Sequence, residues 1–541
     1  MSMQQRDDMG AHCRLLPLKA TLDIVSILLD RGANVNAAGG YNGSSLQAAA
    51  AEGHTDIVSI LLDKGADVNA AGRFYGSSLQ AAAARGHTNI VSILLDKGAD
   101  VNTAGRQHGS SLQAAAAEGR TDIVGILLDK GADVNAAGGG NGSPLQAAAA
   151  GGHTNIVGIL LDKGADINAA GGEYGSALQA AAARGHTNIV GILLDKGADV
   201  NATGEEYGSS LQAAAARGYT DIVGILIDKG ADINAAGGEY GSALQAAAAR
   251  GYTDIVGILL DKGADVNAAG GFYGSSLQAA AAGGHTDIVG ILLDKGADDN
   301  AAGGRYGSSL QVAAARGHTE IVRILLDKGA DVNTAGGYNG SSLQAAAAGG
   351  HTDIVSIILD KGADLNAAGG FYGSSLQAAA AEGHTEIVRI LLDRGADLNA
   401  AGEVYASPLQ AAAAEGYTNI VGILLDKGAD VDAAGGDYGS SLQAAAARGR
   451  TNIVGMLLDK GADVNAAGGR YGSSLQAAAA GGHTNIVNIL LDKGADINAA
   501  GGKYETALQA AAAGGHNNIV SILLDKGARF PVPVENERDV Q

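Results

Sequence analysis

The chain has no tryptophan, one cysteine (Cys13), five prolines and four phenylalanines among its 541 residues. A single cysteine allows no internal disulfide and no cysteine-based zinc site, which fits a reducing compartment. No stretch approaches the roughly 18 apolar residues of a membrane span. The N-terminal MSMQQRDDMGAHCRLLPLKA lacks the apolar core of a signal peptide. Basic charge is also short: 36 Lys and Arg stand against 57 Asp and Glu, a formal net charge of −21. Such a chain repels phosphate backbones and anionic membrane surfaces, so neither a nucleic-acid partner nor membrane insertion is expected. The same acidity discourages self-association, and a monomer is expected. The expected location is the cytoplasm, with the nucleus left open.

Glycine and alanine are what the chain has in plenty. Eighty-five residues are Gly, yet 46% of the chain is hydrophobic, which argues against disorder. The glycines fall at fixed places. The Leu of a "Leu-Gln-Ala-Ala" motif stands at 46, 79, 112, 145 and onward to 508, always 33 residues apart, giving fifteen copies without insertions. One copy, residues 43 to 75, reads GSSLQAAAAEGHTDIVSILLDKGADVNAAGRFY.

Each copy predicts two short helices and an extended turn. Ser44 is a suitable N-cap, and Gln47 three residues later completes a capping box. Two copies test the cap, because Ser143-Pro144 and Ser407-Pro408 place proline at the first helical position, where it is tolerated, and the fifteen copies hold no other proline. Alanines then let neighbouring helices approach closely. Gly53 is a left-handed stop. A second helix starts near Thr55 and carries Ile57, Val58, Ile60, Leu61 and Leu62, a stripe broad enough to be buried on several sides. Gly65 ends it, and Ala66-Asp67-Val68-Asn69 leads to a Gly-rich turn. One unit cannot bury its apolar face alone, but stacked neighbours can. With helices about 8–10 Å apart, fifteen units are expected to span on the order of 120–150 Å as a curved rod with a concave side.

These features resemble the ankyrin repeat. The period, the segment Leu46 to His54 and the segment Leu61 to Asn69 all match its pattern, and the resemblance covers residues 22 to 528. It implies an all-α ankyrin-repeat solenoid, with a helix pair and a finger turn in each unit, and a protein–protein binding role. It also implies that the finger Asn, here Asn69, is a place where some organisms hydroxylate this family. The chain departs from the family's Thr-Pro-Leu-His, reading Ser-Ser-Leu-Gln, Ser-Ala-Leu-Gln or Ser-Pro-Leu-Gln. In the finger, the glycine comes one place late, after a residue that is usually Tyr (Tyr75-Gly76, Tyr174-Gly175). This style looks like the arrays of large fungal proteins. Some of those join a nucleotide-binding NACHT module to ankyrin repeats, but no GxxxxGK[ST] occurs here.

Comparison of the copies separates fixed from variable positions. The finger tip varies, with Arg73, Phe74, Arg106, Glu173, Glu206, Glu239, Phe272, Arg305, Phe371 and Arg470 among its residues. So does the end of the first helix, with Arg85, Arg184, Arg217, Arg250, Arg316 and Arg448, Glu at 52, 118, 382 and 415, and Gly in the other five copies. In the ankyrin fold both places line the concave side, and Arg and aromatics are the types enriched at binding hot spots. They are read as candidate partner-binding positions, against the plainer reading of a tolerant surface. Tyr fills the finger position in eleven copies. It reads either as a binding ladder or, preferred here, as packing between fingers. The recurrent histidine (His54 to His516) gives way to Tyr219, Tyr252, Tyr417, Arg120 and Arg450, which a metal site would not tolerate. A structural role is expected, with no metal and no cofactor. Every catalytic candidate is copied many times, so no enzyme is expected.

The ends differ from the middle. Residues 1–21 are expected to be irregular with a degenerate half repeat, since Pro17 stands where the first helix should run. Residues 22–528 are the array. Residues 529–541 form a tail, in which Arg529 to Val534 is expected to lie as a short lid. Asp299 replaces an apolar residue in "GADDN", and a soft joint is expected at 295–305 if that site is buried. The leading function is a non-catalytic scaffold or recognition arm for an unknown protein partner. The alternatives are a structural spacer, or a fragment of a larger nucleotide-switch receptor.

Overall fold

A computed structural model describes residues 22–37, 43–70, 76–105, 109–140, 142–204, 208–304, 307–338, 340–402 and 404–529. The expectations for residues 1–21 and for the tail beyond Arg529 lie outside these. The chain divides into two compact units, Met1–Phe272 and Tyr273–Gln541. Within each, the same pair of helices repeats. No helix among the described residues is long and apolar enough to cross a membrane.

The pair forms for local reasons. In the copy quoted above the helices are Ser45–Glu52 and Thr55–Asp63. The Ser44 hydroxyl accepts the Gln47 N–H, and the Gln47 side chain accepts the Ser44 N–H at 2.6 Å, closing the expected capping box. Gly53 turns the chain with φ of 82°. Pro144 and Pro408 stand at helix starts behind Ser143 and Ser407.

The core differs in one respect from expectation. Leu46, Ala48 to Ala51, Ile57, Val58 and Leu61 are buried, but Ile60 and Leu62 are only half-buried. The first helices, made of alanine, pack closely side by side, while the second helices touch one another lightly. Bulky residues keep the second helices apart and leave those two side chains in the open seam.

Three sets of bonds join one copy to the next. Gln47 Nε2 donates to the Ala70 and Gly76 carbonyls at the following finger. Asn69 Oδ1 accepts the Asp100 N–H at 2.8 Å, and Asp67 Oδ1 accepts the Asn69 N–H at 3.0 Å. Lys97 pairs with Asp63 of the preceding copy at 3.0 Å, one rung of a Lys–Asp ladder repeated along each unit. The ladder is exposed, so each rung contributes only about 0–1 kcal/mol.

Asp299 does not carry the burial cost foreseen for it. Both it and Val68 in the equivalent place are half-buried, and its carboxylate accepts the Asn300 side-chain amide at 2.9 Å. The stitch to the next copy is kept, since Asn300 Oδ1 accepts the Asp331 N–H at 2.7 Å. A soft joint at 295–305 therefore loses its physical basis.

Candidate functional site

The finger is a tight loop closed on itself. In most described copies two glycines four apart form an antiparallel bridge, such as Gly171 with Gly175 and Gly369 with Gly373. In one copy the bridge lengthens to two-residue strands, Thr203–Gly204 and Gly208–Ser209. The late glycine noted in the sequence is thus one half of the closure. Successive tips are also bonded backbone to backbone. The Glu173 N–H donates to the Gly140 carbonyl at 2.8 Å, Phe272 to Glu239 at 3.1 Å, and Phe371 to Tyr338 at 3.0 Å. Arg470 donates to Asp437 at 2.8 Å. Such close approach excludes a side chain: a Cβ on Gly271, at φ +62°, would lie 2.6 Å from the Tyr240 carbonyl carbon. These bonds use backbone alone, so they do not depend on which side chain stands at the tip.

The structure places Glu173, Glu239, Phe272, Phe371 and Arg470 at exposed finger tips. Arg85, Arg184, Arg217, Arg250 and Arg316 are exposed at the last residue of their first helices. Arg73, Phe74, Arg106, Glu206 and Arg305 lie outside the described residues.

The finger tyrosine joins the two variable positions. Tyr174 is 8% exposed, and its hydroxyl accepts from Arg184 Nε at 2.9 Å and from Nη2. Arg250 donates to Tyr240 in the same way, and Arg448 Nε donates to Tyr438 at 2.8 Å. These guanidinium carbons sit 5.4, 5.5 and 5.8 Å from the ring centroids, within cation–π range. In the two copies that pair this tyrosine with Glu, it reverses its role. Tyr372 donates to Glu382, and Tyr405 donates to Glu415 at 2.8 Å. A phenol can both donate and accept, so one finger side chain orients either sign of charge. Burial, and then the carboxylate hydrogen bond, raises the Tyr372 and Tyr405 phenols above their ordinary value.

This coupling went unread in the sequence, though a signal was there. Each Arg at a helix end, at 85, 184, 217, 250, 316 and 448, has Tyr ten residues before it, at 75, 174, 207, 240, 306 and 438. The preferred view of Tyr as packing between fingers is therefore adjusted: Tyr174, Tyr240 and Tyr438 each brace a finger against its own helix. A second omission is Tyr338. It stands one place ahead of the tyrosine column, is 53% exposed, and stacks on Phe371 with centroids 5.1 Å apart and planes at 18°.

The recurrent histidine is structural. His87 Nε2 lies 3.1 Å from the Ala51 carbonyl of the preceding copy, and His153 Nε2 lies 2.9 Å from that of Ala117. A carbonyl oxygen carries no proton, so the ring nitrogen is the donor. Arg450 reproduces the bond with Nε, 3.2 Å from the Ala414 carbonyl. Tyr252 fills the same place by lying against Gly218. Among the described residues no group of three His, Cys, Asp or Glu is arranged to hold a metal ion.

Within each unit the face so built presents guanidinium, carboxylate and aromatic groups on the repeated helix pairs. Comparison with protein families agrees with this repeat. The profile described as ankyrin repeats in three copies matches residues 73–138, 136–204, 203–270, 272–335, 335–402, 401–468 and 467–534. The profile for ankyrin repeats in many copies matches residues 46–95. Comparison with curated proteins gives no match. Ankyrin repeats are in general protein–protein interaction modules. With its helix pairs, capping boxes, stitched fingers and near-continuous family matches, the chain belongs to the ankyrin-repeat family.

Proposed function

We propose that the chain is a non-catalytic scaffold that holds a protein partner on the face formed by its finger tips and first-helix ends. The observation that carries this is the tyrosine brace: the finger tip and the first-helix end are both variable and exposed, and in Tyr174, Tyr405 and Tyr438 the finger phenol holds the helix-end side chain. Pre-ordered Arg and aromatic side chains lose little freedom on binding, which is what hot spots require. Free fold-neutral variation at these positions is what recognition would exploit.

The test uses the whole chain as bait in affinity capture with mass spectrometry. A variant in which Arg184, Arg217, Phe272 and Phe371 are all replaced by Ser keeps its helical spectrum and is expected to lose its partners. Retention of the same partners by that variant would sink the proposal.

A further inference from the structure

In the unit ending at Phe272, three consecutive copies end their first helix in arginine: Ala177–Arg184, Ser210–Arg217 and Ala243–Arg250. These helices are direct neighbours. All three arginines are exposed. Arg184 and Arg250 are held by Tyr174 and Tyr240, so their guanidinium groups have a set position. On a chain of net charge −21 these are three adjacent basic helix ends, in copies whose finger segments carry Glu173, Glu205, Glu206 and Glu239. The finger tips of the first and third of these copies, Glu173 and Glu239, are exposed carboxylates, which put the opposite charge along one edge of the row.

The spacing selects a ligand. Neighbouring helices lie about 8–10 Å apart. An extended peptide rises about 3.3 Å per residue, so every third residue advances about 10 Å. Guanidinium groups bind carboxylates in a forked geometry. We infer that the row Arg184, Arg217 and Arg250 binds an extended acidic peptide segment of a partner protein, with carboxylates at every third residue. This rests on the protein-binding reading above and names the partner's chemistry. A nucleic acid is disfavoured, because its dense phosphate charge meets the acid of the rest of the chain.

Fluorescence anisotropy with the full chain tests this. The probe is a labelled peptide of repeated Glu-Ser-Ser units, set against one of equal composition with its Glu residues in a single block. The spaced peptide is expected to bind more tightly, and to weaken as salt rises. The triple change Arg184→Glu, Arg217→Glu, Arg250→Glu is expected to weaken it by at least about tenfold. Other copies carry Glu at this position beneath the same tyrosine, as at Tyr372 and Glu382, so the fold accommodates the change. A second variant, Arg→Gly at all three, follows copies that carry glycine there, such as Gly151 and Gly283. Equal binding by the block peptide, by a single-stranded oligonucleotide, or by both variants overturns the inference. Captured partners that survive these arginine variants but are lost with Phe272 and Phe371 would overturn it while leaving the protein-binding reading intact.

Discussion

The two ends of the eight-residue first helix Ser210–Arg217 obey opposite rules. At the start, Gln212 is 3% exposed, and its side chain accepts the Ser209 N–H and donates to the Ala235 and Gly237 carbonyls at 3.2 and 3.1 Å. At the finish, Arg217 is exposed, and other copies put Glu or Gly in its place. A buried amide with several backbone partners cannot be exchanged without orphaning them. An exposed side chain at the helix end can. Fixity and freedom in this repeat therefore follow burial and backbone bonding, within a single helix.

The comparison can be broken at its fixed end first. Gln212→Leu leaves the Ser209 N–H and finger carbonyls unpaired and is expected to cost about 2–5 kcal/mol locally. Hydrogen exchange at Ser209 reads it, and protection equal to wild type would refute the account of Gln as the inter-repeat tie. Next is Gly218, which directly follows the freely varying Arg217. Its φ is +81°, and a Cβ would meet the Tyr252 ring at 2.5 Å. Gly218→Ala should cost about 1–3 kcal/mol, visible as faster exchange in helix Thr253–Asp261.

At the variable end the effects shrink. Tyr372→Phe removes the bond to Glu382 and is expected to cost about 0.5–1 kcal/mol. Its pH dependence gives a sharper readout. The folded phenol is raised above the ordinary value, chiefly by burial and then by Glu382. The unfolded chain therefore loses this proton first, and the contribution is whole below about pH 10 and declines above it. Tyr372→Phe should flatten that alkaline decline in denaturant titrations, and an unchanged slope would contradict the assignment. The smallest effect has the opposite sign. The Ser210 hydroxyl is buried without a hydrogen-bond partner, as are those of Ser78 and Ser276, and other copies have Ala177 or Ala243 there. Ser210→Ala should stabilise by about 0.5–1 kcal/mol. A loss of stability would show that this hydroxyl has an unseen role.

Local features were legible in the sequence because their partners are close in the chain. The Ser–Gln capping box, the Gly53 stop and proline at the helix start all span three residues or fewer. Half of what Gln does was not legible, since its amide reaches carbonyls in the next finger, and no local pattern signals that. The Asp299 expectation depended on burial, which the pattern "GADVN" does not settle; that position is half open in every copy described. Of the candidate face, the variable positions could be read, but their bracing by Tyr needed the fold to bring residues ten apart together.

The bonds between copies reach fixed distances along the chain. Gln47 reaches 29 residues ahead, Asp100 reaches 31 back to Asn69, Phe371 reaches 33 back to Tyr338, Lys97 34 back to Asp63, and His87 36 back to Ala51. An inserted residue changes the spacing of every bond whose two partners it separates. Gaining or losing a whole 33-residue unit re-forms each of them with a partner of the same kind. Copy number is thus a dimension in which recombination can edit this gene while keeping the spacing of these bonds. Each crossover between copies also deals a new order of arginines, glutamates and aromatics along the exposed face.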